Sequence, residues 1–244
     1  MVNFVKLEHS IRRLANRCGI DIHRHRPRET LQGRLSTMLE YHDVDLLLDV
    51  GANIGQFAGA IREAGYRGKL VSFEPLAEAH SRLLQASRTD PAWEIAPRIA
   101  IGADEGEVEM KVSDNSFSSS VLTVLPDHIR AAPESVCVGV ENVRLSKLDT
   151  ASRDYLAVSK APFVKIDTQG YEDRVLDGAT DVLEKAVGLH LELSFVPLYE
   201  GQPLFDSVID RLYDVGFCVW GIWQGIHDPQ SGRMLQVDAT LFRR

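Results

Sequence analysis

Cysteine is scarce in this chain: Cys18, Cys137 and Cys218 stand far apart, and no Cys-x-x-Cys pair occurs. That spacing excludes a disulfide framework and a thiolate metal site, and reads as reduced thiols in a cytoplasmic protein. Long apolar runs are missing too. No segment approaches the roughly 20 residues needed to span a bilayer, and the amino terminus lacks the uninterrupted apolar core of a signal peptide. An overall basic balance is also absent. The formal charge of −8 offers nothing to hold a phosphate backbone, so no nucleic-acid partner is expected. Neither an internal repeat nor a low-complexity tract is present.

What is present suits one large α/β domain: 244 residues, 44% of them hydrophobic, can bury a substantial core. The charge is unevenly spread. Residues 1–34 carry eight Lys/Arg against Glu8, Asp21 and Glu29, a net +5 that leaves −13 for the remainder. This divides the chain into a basic helical leader, residues 1–40, and a domain at 41–244. The leader reads either as a solvated helix face or as a peripheral contact for anionic lipid or a phosphorylated substrate.

From Asp45 onward, short aliphatic runs alternate with helical patterns, the signature of a parallel sheet with helices on both faces. Strands are expected at 45–50, 69–74, 93–101, 163–167, 187–193, 217–223 and 234–242. Helices are expected at 54–65, 76–87, 172–185 and 204–215, from apolar residues at helical spacing and closing glycines such as Gly65. An insertion, 104–160, interrupts the alternation before the fourth parallel strand. Its "GEVEMKVS" (106–113) alternates like an antiparallel strand and runs into the polar loop "DNSFSSS" (114–120), which is either a plain loop or a source of substrate contacts.

The segment "LLLDVGANIGQF" (46–57) ends a buried strand in a glycine turn that feeds a helix, so backbone N–H groups and the positive helix end face a ligand at the carboxyl edge of the sheet. The next strand closes on Glu74, about 20 residues after the turn, where a carboxylate can accept both hydroxyls of a ribose; the alternative is a helix-terminal charge beside Pro75. The dinucleotide fingerprint would need a glycine where Asn53 stands, which disfavours a nicotinamide-dependent oxidoreductase. S-adenosylmethionine has no phosphate to approach. Asp49 suits its cationic methionine end, and the amide of Asn53 suits its carboxylate. The cofactor-binding candidates are Asp49, Gly51, Asn53, Gly55, Glu74 and Ala100.

A second group of residues gathers at the same edge. Asp167 ends the fourth parallel strand and Glu192 the fifth, with His190 between apolar neighbours and Glu172 opening the following helix. If such a site transfers a methyl group to an alcohol, the reaction is an in-line displacement in which the hydroxyl proton must leave. Asp167, then Glu192, then His190 are the candidates for removing it. Alternatively Asp167 and Glu192 hold a divalent cation, Mg²⁺ or Mn²⁺, that acidifies and orients the hydroxyl. Glu172 is equally well explained as a first-turn acid, and Lys165 as a solvent-facing residue or a partner for a carboxylate.

The pieces "DVGANIGQF", "FEP", Leu148-Asp149, "VKIDTQGYEDRVLDGA" (164–179), "LHLELS" (189–194) and "LQVDATLF" (235–242) together resemble the FkbM-type class I methyltransferases. The resemblance spans roughly Asp45 to Phe242 and leaves the first forty residues unmatched. It implies a Rossmann-like fold with a seven-stranded, mostly parallel sheet, S-adenosylmethionine as cofactor, and O-methylation of a sugar hydroxyl in a glycolipid, polysaccharide or glycosylated metabolite, or of a polyketide-type hydroxyl. A binding module without chemistry is the remaining alternative.

Overall fold

The computed structural model describes residues 11–20, 22 and 27–244. Much of the basic leader, with Lys6, Glu8, Asp21, Arg24 and Arg26, therefore lies outside the described residues. Residues 11–17 are helical. Helix α1 (Leu31–Tyr41) begins at Thr30, whose side chain accepts a hydrogen bond from Gly33 N at 3.1 Å and satisfies an otherwise orphaned first-turn donor. Its Leu35 and Leu39 are fully buried against the sheet, so this helix packs as part of the core.

The order continues β1 (Leu46–Val50), α2 (Gln56–Glu63), β2 (Lys69–Phe73), α3 (Ala77–Ala86), β3 (Trp93–Ile95), β4 (Ala100–Ile101) and β5 (Gly106–Ser113). After these come α4 (Pro126–Ala131), β6 (Cys137–Ser146), α5 (Leu148–Ala151), α6 (Arg153–Val158), β7 (Pro162–Ile166), α7 (Glu172–Asp177), α8 (Thr180–Lys185), β8 (Gly188–Ser194), α9 (Phe205–Asp214), β9 (Phe217–Gln224) and β10 (Gln236–Arg243). The main sheet has seven strands in the order β3-β2-β1-β7-β8-β10-β9, all parallel except β10, which runs antiparallel to both neighbours. Leu46, Leu48 and Val50 of β1 pack with α7, α8 and α9 on one face. Leu47 packs with Leu70, Phe163 and the α1 and α2 side chains on the other. Burial on both faces is why β1 and β7 read as apolar runs broken only by Asp49 and Lys165. Truncating a residue such as Leu47 to alanine would cost about 2–5 kcal/mol.

Two expected elements are divided. The strand expected at 93–101 splits into β3 and β4 because Pro97 carries no N–H; the β2–β3 ladder closes with Ala96 N donating to Ser72 O at 3.0 Å. β4 then joins a separate three-stranded sheet with the insertion, where β6, not foreseen from the pattern, pairs antiparallel with β5 and parallel with β4. The helix expected at 172–185 divides at Gly178, whose Cα is so close to Gly102 that an added Cβ would lie 1.9 Å from its carbonyl oxygen. Among the described residues, no helix is long and apolar enough to cross a membrane.

Register is what assembles the site. On the Leu47 face, the pleat places Asp49 beside Ser72 and Lys165, Lys165 beside His190, and His190 beside Thr240, a polar row across five strands. One step nearer the carboxyl edge, Glu192 stands directly across from Asp238, and Asp167 follows the last residue of β7.

Candidate active site

A cavity of about 480 Å³ opens at this carboxyl edge, well within the size range of ligand pockets. Its wall brings together Gly51, Asn53, Glu74 and Ala100 with Lys165, Asp167, His190, Glu192 and Asp238. Phe57, Phe73 and Tyr171 supply apolar walls, Leu31 and Gln32 of α1 reach it from above, and Ser116 and Phe117 bring the insertion loop onto it. The loop "DNSFSSS" thus borders the cavity, with Phe117 56% exposed at its rim.

The turn after β1 follows from close approach. Gly51 has φ +74, and a Cβ there would lie 1.9 Å from the Asp167 carbonyl oxygen. Asn53 is also left-handed at φ 48, a conformation that asparagine tolerates better than most residues. Its N–H donates to Glu74 Oε2 at 2.8 Å, and its side-chain amide reaches Ser116 Oγ at 3.4 Å. The other oxygen of Glu74 accepts from Leu76 N at 2.8 Å. Burial, only partly offset by these bonds, lifts the Glu74 carboxyl to about 7.

Two cofactor candidates lie away from the cavity wall. Asp49, expected at the cationic end of the cofactor, is fully buried behind it, with Ser72 Oγ donating at 3.0 Å and the Lys165 ammonium forming an ion pair at 3.1 Å. Gly55 (φ +94) packs so closely on Trp93 that an added Cβ would meet the indole at 2.7 Å. Both residues shape the turn from below.

Lys165 does not face solvent. It bonds Gly51 O at 2.8 Å, pairs with Asp49, and lies 3.5 Å from Asp167. Burial favours its neutral form, but Asp49 and Asp167 outweigh that and hold the amine above the ordinary lysine value. Glu172 is buried and accepts from Thr168 N (2.9 Å), Thr168 Oγ1 (3.2 Å) and Gly170 N (3.2 Å). It therefore ties the turn 168–170, while burial raises its carboxyl to about 7. His190 has Nδ1 2.8 Å from Thr240 Oγ1 and its ring stacked on Phe57; burial, then the charge of Lys165, lower it to about 4, so the imidazole is neutral.

Between Asp167 and Glu192 the expected divalent cation meets a different arrangement. The Gln169 amide lies there, Nε2 donating to Asp167 Oδ1 at 2.8 Å and to Glu192 Oε2 at 2.5 Å. An amide nitrogen presents hydrogens where a cation would require lone pairs. Among the described residues no group of three or more His, Cys, Asp or Glu is arranged to hold a metal ion, so the donor set does not fit Mg²⁺ or Mn²⁺. Burial, reinforced by the charges of Asp167, Asp238 and Glu172, pushes Glu192 well above the usual carboxylate range. Asp238 is raised to about 6, by burial first and then by Asp167.

Residues 49–219 match the model of the methyltransferase FkbM domain. This chain belongs to the FkbM methyltransferase family. Its sheet is the Rossmann-like sheet of the class I methyltransferases. The FkbM chain is 28% identical over 149 residues to the hexuronic acid methyltransferase AglP of Haloferax volcanii, a match covering 59% of this chain and 54% of AglP. It thus spans about half the length of that curated relative. Solved structures similar to it include a protein of Listeria monocytogenes assigned as an S-adenosylmethionine-dependent methyltransferase (9% identity, 87% of this chain and 98% of the other, TM-score 0.49). An rRNA methylase from Streptococcus thermophilus is another (13% identity, 91% and 99%, TM-score 0.46).

Several residues of the FkbM site escaped the strand-and-motif reading. Gln169 sits in a turn whose loop position carries no period. Asp238 did leave a signal, an acid inside the mostly buried strand "QVDATLF", but its partner Glu192 lies 46 positions earlier and only the antiparallel pairing of β8 and β10 brings them together.

Proposed function

We propose that this FkbM protein is an S-adenosylmethionine-dependent O-methyltransferase acting on a sugar hydroxyl of a glycolipid, polysaccharide or glycosylated metabolite. The observation that carries the reading is one cavity lined both by Glu74 and Asn53 and by Asp167, Glu192 and His190. The nucleoside end suits a ribose: among the described residues each Glu74 oxygen accepts one protein hydrogen bond, leaving lone pairs for hydroxyl donors. Asn53 Oδ1, buried and unpartnered among the described residues, awaits a donor as well. Bound there, S-adenosylmethionine supplies a methyl group activated on a sulfonium centre.

The acceptor end is the work of the chain's own side chains. Asp167 is held by Gln169 through Oδ1, and its Oδ2, on the Lys165 side, takes the proton of the acceptor hydroxyl. Glu192, tied to Asp167 through the Gln169 amide and raised above the usual carboxylate range, stands beside it to orient the acceptor. Phe57, Phe117 and Tyr171 offer ring faces to the apolar side of a sugar. The similarity to AglP, a hexuronic acid methyltransferase, favours a sugar over a polyketide-type acceptor. A cytoplasmic location with a peripheral leader contact completes the proposal.

The test is a screen of free sugars, glycosides and glycolipids with methyl-labelled S-adenosylmethionine, beside calorimetry with that cofactor, its demethylated product and NAD. Label in a sugar hydroxyl with tight binding of the first two ligands is expected. Binding of NAD alone would overturn the reading.

A further inference from the structure

The cavity holds a residue in an unfavourable backbone conformation, in a turn that Glu172 ties from one side. Gln169 is buried, non-glycine and left-handed at φ 57, a conformation that persists only where its surroundings enforce it. Every polar atom of its side chain is engaged. Nε2 donates to both Asp167 and Glu192, and Oε1 lies 2.8 Å from the Tyr199 hydroxyl. The insertion supplies the restraint: Ser120 Oγ donates to the Gln169 carbonyl at 2.7 Å, and the same Tyr199 hydroxyl lies 3.0 Å from Ser118 O.

We infer that Gln169 is a positioning residue, an internal amide clamp that holds the two carboxyl groups of the acceptor site in the place where a cation would otherwise bridge them, and that Tyr199 and Ser120 set this clamp by docking the insertion. The assignment rests on the proposed methyl transfer for its kinetic part only. Without the amide, Asp167 and Glu192 would face one another with Asp238 and Glu172 nearby, and the positive group beside them, Lys165, is already paired with Asp49. Like charges at that separation disfavour the fully ionised state and invite a proton or a cation.

Two variants of the full chain test this. Gln169→Glu keeps the shape and replaces both N–H donors with acceptors. It should acquire a Mn²⁺ site, read by calorimetry or electron paramagnetic resonance on the protein alone, with an affinity of roughly 10⁻⁴–10⁻³ M typical of a modest carboxylate site. The parent should bind no Mn²⁺ at those concentrations, and chelator should leave its turnover within about 2-fold. Tyr199→Phe removes only the hydroxyl. It should lower kcat by about 10-fold with KM and Kd for S-adenosylmethionine within about 2-fold, whereas Gln169→Glu without metal should lose about 10²-fold in kcat, the scale of a misplaced reacting group. Retained cofactor affinity reports that each variant is folded. Equal Mn²⁺ binding by parent and Gln169→Glu, or unchanged kcat in both variants, overturns the inference. The Mn²⁺ measurement needs no acceptor, so a failed acceptor screen would reject the methyl-transfer reading without touching this one.

Discussion

Replacing Glu74 with glutamine separates its two tasks. In the parent its oxygens accept the N–H groups of Asn53 and Leu76, both at 2.8 Å, while the remaining lone pairs face the cavity. Alanine would leave two backbone donors unpaired, at about 1–3 kcal/mol each, and confuse cofactor loss with unfolding. Glutamine keeps one acceptor oxygen and the volume, so the fold should survive, while the charged acceptor for a ribose is gone. A charge-assisted hydrogen bond of about 1.5–3 kcal/mol corresponds to a Kd raised by roughly 10- to 100-fold. The carboxyl lifted to about 7 adds a second signature. If only the ionised form accepts ribose hydroxyls, affinity is complete well above pH 7 and is lost as pH falls; one unit below its pKa about a tenth of the groups remain ionised, so Kd should rise about 5-fold between pH 7 and 6. Calorimetry with S-adenosylmethionine at pH 6, 7 and 8 on parent and Glu74→Gln should show that slope in the parent and a flat, weak profile in the variant. Equal affinity in the two proteins would refute the ribose role, and Glu74 would then serve the turn alone.

Gly51→Ala should destabilise by about 2–5 kcal/mol, combining left-handed strain with overpacking against the Asp167 carbonyl, and should abolish cofactor binding; a parent-like melting temperature would show that the β1 turn can relax. Asp167→Asn should slow methyl transfer by about 10²–10⁴-fold while Kd for the cofactor stays within about 3-fold, and near-normal turnover would remove it as the base. His128, buried against Tyr199 and lowered to about 4 by burial, stays neutral in the fold, whereas an unfolded histidine protonates near 6.5. Only the unfolded chain gains that proton between those values, so stability complete above about 6.5 falls with pH. Denaturant melts should show His128→Leu losing about 2 kcal/mol less than the parent between pH 6.5 and 4.5, and parallel pH curves would contradict this. Removing residues 1–26 should leave a folded, cofactor-binding domain, whereas removal through Arg34 takes the Thr30 cap and the cavity-lining Leu31 and Gln32 with it; equal cofactor affinity and stability in the two truncations would show α1 dispensable.

The parallel core was legible along the chain because its signals are local. Apolar runs such as "LLLDV" need only neighbours a few positions away to declare a strand buried on both faces, and the glycine turn and Glu74 follow those strands at fixed intervals. Pro97 and Gly178 were visible too, but whether a proline ends a strand or a glycine divides a helix depends on what lies alongside, and for Gly178 that is the carbonyl of Gly102. Charge partners were beyond reach for the same reason. Asp49 looked free to meet a cofactor until β7 brought Lys165 to 3.1 Å from it, and Asp167 with Glu192 looked like a cation site until a left-handed turn put the Gln169 amide between them. Period and composition reveal which residues a strand buries; which polar groups meet across strands depends on register and turn geometry, set by packing between segments distant in the sequence.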